Sequence, residues 1–276
     1  MTDLTGDTMD RTRLALDKAR KKGVGGRPIF SVSPLPTVNA NPIAIKYQQT
    51  RVEPVSPDQL RESRIFAGMD NEPLADIYRI LRTQVLSRLA GEGLTTLAVC
   101  SANAGDGKTV IAANLAVSIA MDVNQTVLLV DLDLRRPHLA AAFGLEPEFG
   151  IDDYLRGEVD LPGCLINPGI DRLVLLPARA PMDKTSEVLA SPKMISLAHE
   201  LKNRYPDRLV IYDVPPVLAT DDCLAFMPCI DAAMFVVAEG ETPRTDIERA
   251  LYLLRDCPLV GTVLNKSSQE NFTAYL

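Results

Sequence analysis

Several features are scarce in this 276-residue chain, and each scarcity removes a class of function. No apolar run approaches the roughly 18 to 20 residues that span a bilayer. The first residues are polar and charged, which is not the pattern of a secretory signal. A net positive charge is missing too. The formal charge of -7 argues against a nucleic-acid binder, because neutralising phosphates requires a basic face. The five cysteines (Cys100, Cys164, Cys223, Cys229, Cys257) are scattered, odd in number and without C-x-x-C pairing. That spacing fits neither a structural metal site nor a disulfide framework, and reduced cytosolic thiols suit it best. A catalytic cysteine would need a histidine beside it, and only His138 and His199 exist. There is no internal repeat and no low-complexity run.

What the chain has is apolar content, 46% of its residues, enough to bury a full core in one large domain or two small ones. Residues 1–55 read as a flexible tail with one short basic helix over 9–22. Gly23 and the prolines Pro34, Pro36, Pro42, Pro54 and Pro57 stop any longer element. The cluster Arg20, Lys21, Lys22 is either a solvated helix end or a contact for an acidic partner or membrane surface. Order is expected from near Pro57, in a domain over 56–268 followed by a short tail, 269–276, that contains Tyr275.

Within that domain, Leu74, Ile77, Leu81, Val85 and Leu89 recur at helical spacing after Pro73. Asp76, Arg79 and Arg82 lie three apart on another face of the same helix. Strands are expected over 95–100, 126–131, 172–176, 208–213, 231–238 and 259–265. Helices are expected over 109–121, 192–204 and 243–255, the last with Thr242 as N-cap before Pro243. Apolar strands alternating with helices predict an α/β fold with a mostly parallel sheet and helices on both faces.

The strongest local signal is SANAGDGKT, residues 101–109. Its Ala102-x-x-x-x-Gly107-Lys108-Thr109 spacing matches the P-loop pattern, with alanine in place of the usual first glycine. Gly105 and Gly107 let the backbone curl, so that successive N–H groups point at one phosphate beside a helix N-terminus. The nucleotide-binding run is therefore expected to include Ala104, Gly105, Asp106, Gly107, Lys108, Thr109 and Val110. Lys108 is suited to the β and γ phosphates of ATP, and the Thr109 hydroxyl to Mg²⁺. Two apolar strands end in aspartate, VLLVDLDLRRP with Asp131 and Asp133, and LVIYDVPP with Asp213. Ligands of open α/β sheets sit beyond the carboxyl ends of the strands, so these carboxylates should meet the P-loop at one edge. A Mg²⁺ ion resolves the charge conflict between carboxylates and a triphosphate.

With these segments in view, the chain resembles the bacterial tyrosine kinases that control capsule and exopolysaccharide export, most closely their stand-alone cytoplasmic kinase domains. SANAGDGKT is similar to their Walker A motif, VLLVDLDLRRP to their Walker A′ and IYDVPP to their Walker B. DIYRILRT, with Asp76, Arg79 and Arg82, is similar to their E-x-x-R-x-x-R oligomerisation motif, Asp76 standing where glutamate is usual. KTSEVLASPKM and GTVLNKSS also resemble family segments, the latter placing Asn265 near the nucleotide base. The resemblance covers about residues 60–268. It implies a P-loop NTPase fold of the deviant Walker type seen in MinD and ParA. It also implies ATP-dependent tyrosine autophosphorylation between subunits of a ring, and an activating membrane polysaccharide co-polymerase. The protein would be cytoplasmic and recruited to the inner face of the plasma membrane.

Carried over by position, Lys108 would hold phosphates, with Thr109 and Asp213 on or near Mg²⁺. Asp131 and Asp133 would organise the metal and assist deprotonation of the tyrosine. Arg135 would contact phosphate or form a salt bridge. After Asn265 the only tyrosine is Tyr275, the candidate acceptor. Two other readings stay open. A pseudokinase or regulatory subunit of the export complex would bind ATP without phosphorylating tyrosine. A MinD- or ParA-like ATPase would release free phosphate, although Asn103 stands where those proteins carry a lysine that acts across a dimer.

Overall fold

Strands that are apolar along their whole length need cover on both faces, and the chain supplies it from both sides. The computed structural model describes residues 50–70, 72–205 and 207–267. The expected helix over 9–22, with Arg20, Lys21 and Lys22, and the tail residue Tyr275 lie outside the described residues. The strands are β1 (Arg51–Val52), β2 (Thr96–Ser101), β3 (Thr126–Asp131), β4 (Ile166–Asn167), β5 (Leu173–Leu176), β6 (Arg208–Asp213), β7 (Ala232–Ala238) and β8 (Leu259–Asn265). Among the described residues they form one eight-stranded sheet in the order β1-β4-β5-β3-β6-β2-β7-β8. Every pairing is parallel except that of β4 with β5.

The helices are α1 (Pro57–Glu62), α2 (Pro73–Ala90), α3 (Lys108–Ala120), α4 (Leu139–Ala142), α5 (Ile151–Arg156), α6 (Thr185–Leu189), α7 (Pro192–Asn203), α8 (Asp222–Phe226) and α9 (Arg244–Leu253). The period-two alternation of strand side chains divides the core into two layers. Leu97, Val99, Leu129 and Ile211 face the layer built with Val85 and Leu89 of α2 and most of α3. Ala98, Leu128, Val130 and Tyr212 face the other, with Leu197 of α7 and Ile247 of α9. No helix of the described residues is long and apolar enough to cross a membrane. All five thiols are free, four of them buried.

Helix α3 runs from the P-loop through the middle of its layer, and its polar residues tie it to the segments that precede it. Asn114, fully buried, accepts from the N–H groups of Phe66 (2.7 Å) and Ala67 (3.1 Å) and donates to the carbonyls of Arg64 (2.8 Å) and Val110 (2.9 Å). Those bonds hold Arg64 in the left-handed region, at φ 60°. The Ser118 hydroxyl donates to the Tyr78 carbonyl (3.1 Å), and the Ser118 carbonyl accepts from Arg82 (2.9 Å).

Some expectations need correcting. Order begins before Pro57, because Arg51 and Val52 already pair with Ile166 and Asn167 at the sheet edge. Of the stripe on α2 only Val85 and Leu89 are buried, whereas Leu74 is exposed. Thr242 does not cap α9. The N-cap is Pro243, and the Thr242 hydroxyl is used elsewhere, as described below.

The Asn114 network generates the first prediction. Asn114→Ala leaves buried N–H and C=O groups without partners, and should cost about 2–4 kcal/mol of stability, measured by urea unfolding. A loss below about 0.5 kcal/mol would show that the 64–67 turn does not depend on this side chain.

Candidate functional site

Between the end of β2 at Ser101 and the start of α3 at Lys108, the chain makes the glycine loop. Gly105 and Gly107 take φ values of 88° and 94°, a region that side chains with Cβ rarely enter. Gly107 is required a second time by packing, since a Cβ there would sit 2.1 Å from Nδ2 of Asn265. The first turn of α3 contains no acidic side chain, and its N-cap makes no side-chain bond. Its leading N–H groups are thus left for an anion from outside the chain, which fits a nucleotide phosphate.

The loop is braced from beneath. Asp106 is buried and accepts from the Asn103 N–H (2.9 Å) and the Thr242 hydroxyl (2.9 Å). Nδ2 of Asn265 donates to the Asp106 carbonyl (2.8 Å). The Asn103 side chain donates to Asp246 on α9 (2.9 Å). Ala104 and Gly105 form the exposed tip, and Val110 lies half-buried in the first turn of α3.

The charged centre lies where β3, β6 and α3 meet. Nζ of Lys108 is 3.1 Å from Oδ2 of Asp133 and 3.4 Å from Oδ1 of Asp213. The Thr109 hydroxyl donates to Oδ2 of Asp213 at 2.6 Å. Burial pulls the lysine down, but Asp213 and Asp133 outweigh it and hold the ammonium above its ordinary range. Burial pushes Asp213 up, against the pull of Lys108 and Thr109. Among these groups, oxygen donors on Thr109 and Asp213 with a carboxylate at Asp133 match the ligand preference of Mg²⁺.

The resemblance gives Asp131 and Asp133 a shared part in organising the metal and deprotonating the tyrosine. The strand ends at Asp131, however, and the two diverge. Oδ1 of Asp131 accepts from the Asp133 N–H (3.1 Å), while Oδ2 accepts from His138 (3.0 Å) and Leu139 (2.9 Å). Asp131 therefore shapes the loop over 132–138, and Asp133 faces Lys108. Burial, with Asp213 alongside, pushes the Asp131 carboxyl up.

Arg135 takes the salt-bridge alternative. Its guanidinium grips Asp222 of α8 through Nε (2.7 Å) and a second nitrogen (3.3 Å), rather than reaching for the P-loop. On α2, Arg79 pairs with Asp76 within the exposed face, whereas Arg82 is turned inward onto Ser118. Sequence reasoning missed Asp222 and Asp246, and misread Thr242. For Asp222 the available signal was an acidic pair, Asp221–Asp222, in the otherwise apolar segment that follows Asp213.

Comparison with known proteins agrees with this geometry. Residues 97–274 match the CobQ/CobB/MinD/ParA nucleotide binding domain. The chain is 30% identical over 243 residues to the succinoglycan biosynthesis transport protein ExoP of Rhizobium meliloti (strain 1021), covering 86% of this chain and 30% of that protein. It thus spans less than a third of that relative. It is also 30% identical over 200 residues to the tyrosine-protein kinase YwqD of Bacillus subtilis (strain 168), covering 72% of this chain and 83% of that kinase. The kinase domain of the Escherichia coli tyrosine kinase ETK superposes with a TM-score of 0.68 at 25% identity, covering 82% of this chain and 91% of that domain.

Gly107→Ala should lower affinity for Mg-ADP by at least about tenfold in calorimetry, with the unfolding transition still cooperative. The substitution adds a strained backbone and displaces Asn265 from the loop, and about 1.4 kcal/mol suffices for that loss. Unchanged affinity would show that the loop does not need this conformation to hold phosphate.

Proposed function

The chain belongs to the CobQ/CobB/MinD/ParA nucleotide-binding family and, within it, to the bacterial tyrosine kinases, and on that premise we propose that it is an ATP-dependent protein-tyrosine autokinase serving exopolysaccharide or capsule export. The observation that carries this reading is Lys108, held between Asp133 and Asp213 with Thr109 bound to the same aspartate. A protein that only holds nucleotide has no need of a second carboxylate, Asp133, facing the phosphate-binding lysine.

In this reading the P-loop N–H groups and Lys108 bind the ATP phosphates, and Thr109 and Asp213 hold Mg²⁺. That ion would supply charge neutralisation at the phosphates. Asp133 receives the phenolic proton as the γ-phosphoryl group passes to the tyrosine oxygen and ADP is left. Asp131, whose oxygens are both engaged by main-chain donors, keeps Asp133 in place. Catalysis of this type rests on positioning and charge compensation rather than on a covalent intermediate. Arg135, as the partner of Asp222, takes a structural part.

Tyr275 is the proposed acceptor, presented to a neighbouring subunit. The exposed Asp76–Arg79 face of α2 is the proposed contact in that self-association, and a cytoplasmic segment of a membrane polysaccharide co-polymerase is the proposed activator at the inner face of the plasma membrane.

The test uses the purified chain with Mg-ATP, alone and with the partner's cytoplasmic segment. Phosphotyrosine should appear on Tyr275, fall more than about 100-fold in Lys108→Met and vanish from that peptide in Tyr275→Phe, read by phosphopeptide mass spectrometry. Strong Mg-ATP binding without phosphotyrosine under every condition would refute the kinase reading. Steady phosphate release without protein labelling would point to the partitioning-ATPase class instead.

A further inference from the structure

Asp222 is a buried carboxylate that the chemistry above leaves unused. Its side chain is 1% exposed, yet it receives the guanidinium of Arg135 at two points, 2.7 and 3.3 Å, and the Thr185 hydroxyl at 2.8 Å. A buried charge of this kind is costly unless every lone pair is engaged, so its retention asks what the partners gain. Burial raises its carboxyl, but the bonds from Arg135 and Thr185 outweigh that and hold it below the ordinary range, so it stays ionised.

The partners lie on three segments. Arg135 stands two positions beyond Asp133 in the loop that leaves β3. Thr185 opens α6, immediately after Lys184, which sits in the left-handed region at φ 52°. Asp222 itself opens α8, which packs against α6. A further main-chain bond joins the same pieces, from the Met182 N–H to the Leu134 carbonyl at 2.8 Å. The 182–185 segment is thereby fastened to the loop on both sides of the Leu134–Arg135 peptide. At its other end the loop is held by Asp131, which takes the N–H groups of Asp133, His138 and Leu139. Asp133 sits between these two anchors and faces Lys108.

We propose that Asp222 is a positioning residue for phosphoryl transfer: it locks Arg135, and through Arg135 the loop that sets Asp133 against Lys108. The role in phosphoryl transfer rests on the kinase reading, whereas the locking of the loop does not. The P-loop has its own braces in Asp106, Thr242 and Asn265, so nucleotide binding and loop positioning are separable.

The experiment compares the full chain with Asp222→Asn, Arg135→Gln and the double variant. Asparagine fills the same volume but presents an amide N–H to the guanidinium. In nucleotide-free protein, amide hydrogen exchange at Arg136, His138 and Leu139 should quicken by about tenfold or more in Asp222→Asn, with β2 and β6 unchanged. With Mg-ATP, ADP release should lose roughly 10- to 100-fold in kcat, while KM for ATP stays within about threefold. Arg135→Gln should do the same, and the double variant should be no worse than either single one. Losses that multiply in the double variant, exchange that quickens throughout the sheet with KM, or exchange and kcat that do not move would each overturn the proposal. If the wild-type chain forms no phosphotyrosine, alone or with the partner's cytoplasmic segment, the kinase reading fails, and the exchange measurement alone decides the positioning role.

Discussion

One ammonium among three aspartates is the constraint on which the site depends. Lys108 is shared by Asp133 and Asp213, with Asp131 buried beside them, so three carboxyl groups crowd one ammonium at the carboxyl edge of the sheet. Such a crowding of ionisable groups is tolerable in a dry environment only if its geometry is held firmly or further cations arrive. The surroundings meet the first condition by hydrogen bonding every participant. The chemistry of the donors suits the second, because a divalent ion that prefers carboxylate and hydroxyl oxygens would complete the balance.

The firmness comes from outside the motifs. The P-loop is held through Asp106 by Thr242 and Asn265, and through Asn103 by Asp246. The loop after β3 is held by Asp131 at its base and by Asp222 farther along. Helix α3, which starts at Lys108, is fastened to the 64–67 turn and to α2 by Asn114 and Ser118. Three separate braces thus meet on one active edge. A chain in which each functional loop has its own anchor can lose one task, such as orientation of a carboxylate, without losing another, such as phosphate binding.

Asn103 is likewise held from within the chain. In the MinD- and ParA-type pattern this position carries a lysine that reaches a second subunit. Here its side chain is turned onto Asp246 of the same chain, and the residue serves the P-loop from within.

Much of this was legible in the amino-acid sequence, because periodicity and glycine spacing are local properties. The alternation of apolar strands with helices foretold a parallel sheet covered on both faces, and the P-loop and the two aspartate-ended strands foretold that Lys108, Asp133 and Asp213 meet at one edge. Tertiary structure alone decided the rest. Asp131 and Asp133 have equivalent spacing in the sequence but different partners, since where β3 ends depends on its neighbours. Arg135 turned to Asp222, Thr242 to Asp106, and Arg82 to Ser118, each across a long stretch of chain. Hydrogen bonds of buried polar groups are satisfied by whatever the fold brings close, and no local pattern in the chain announces which group that is.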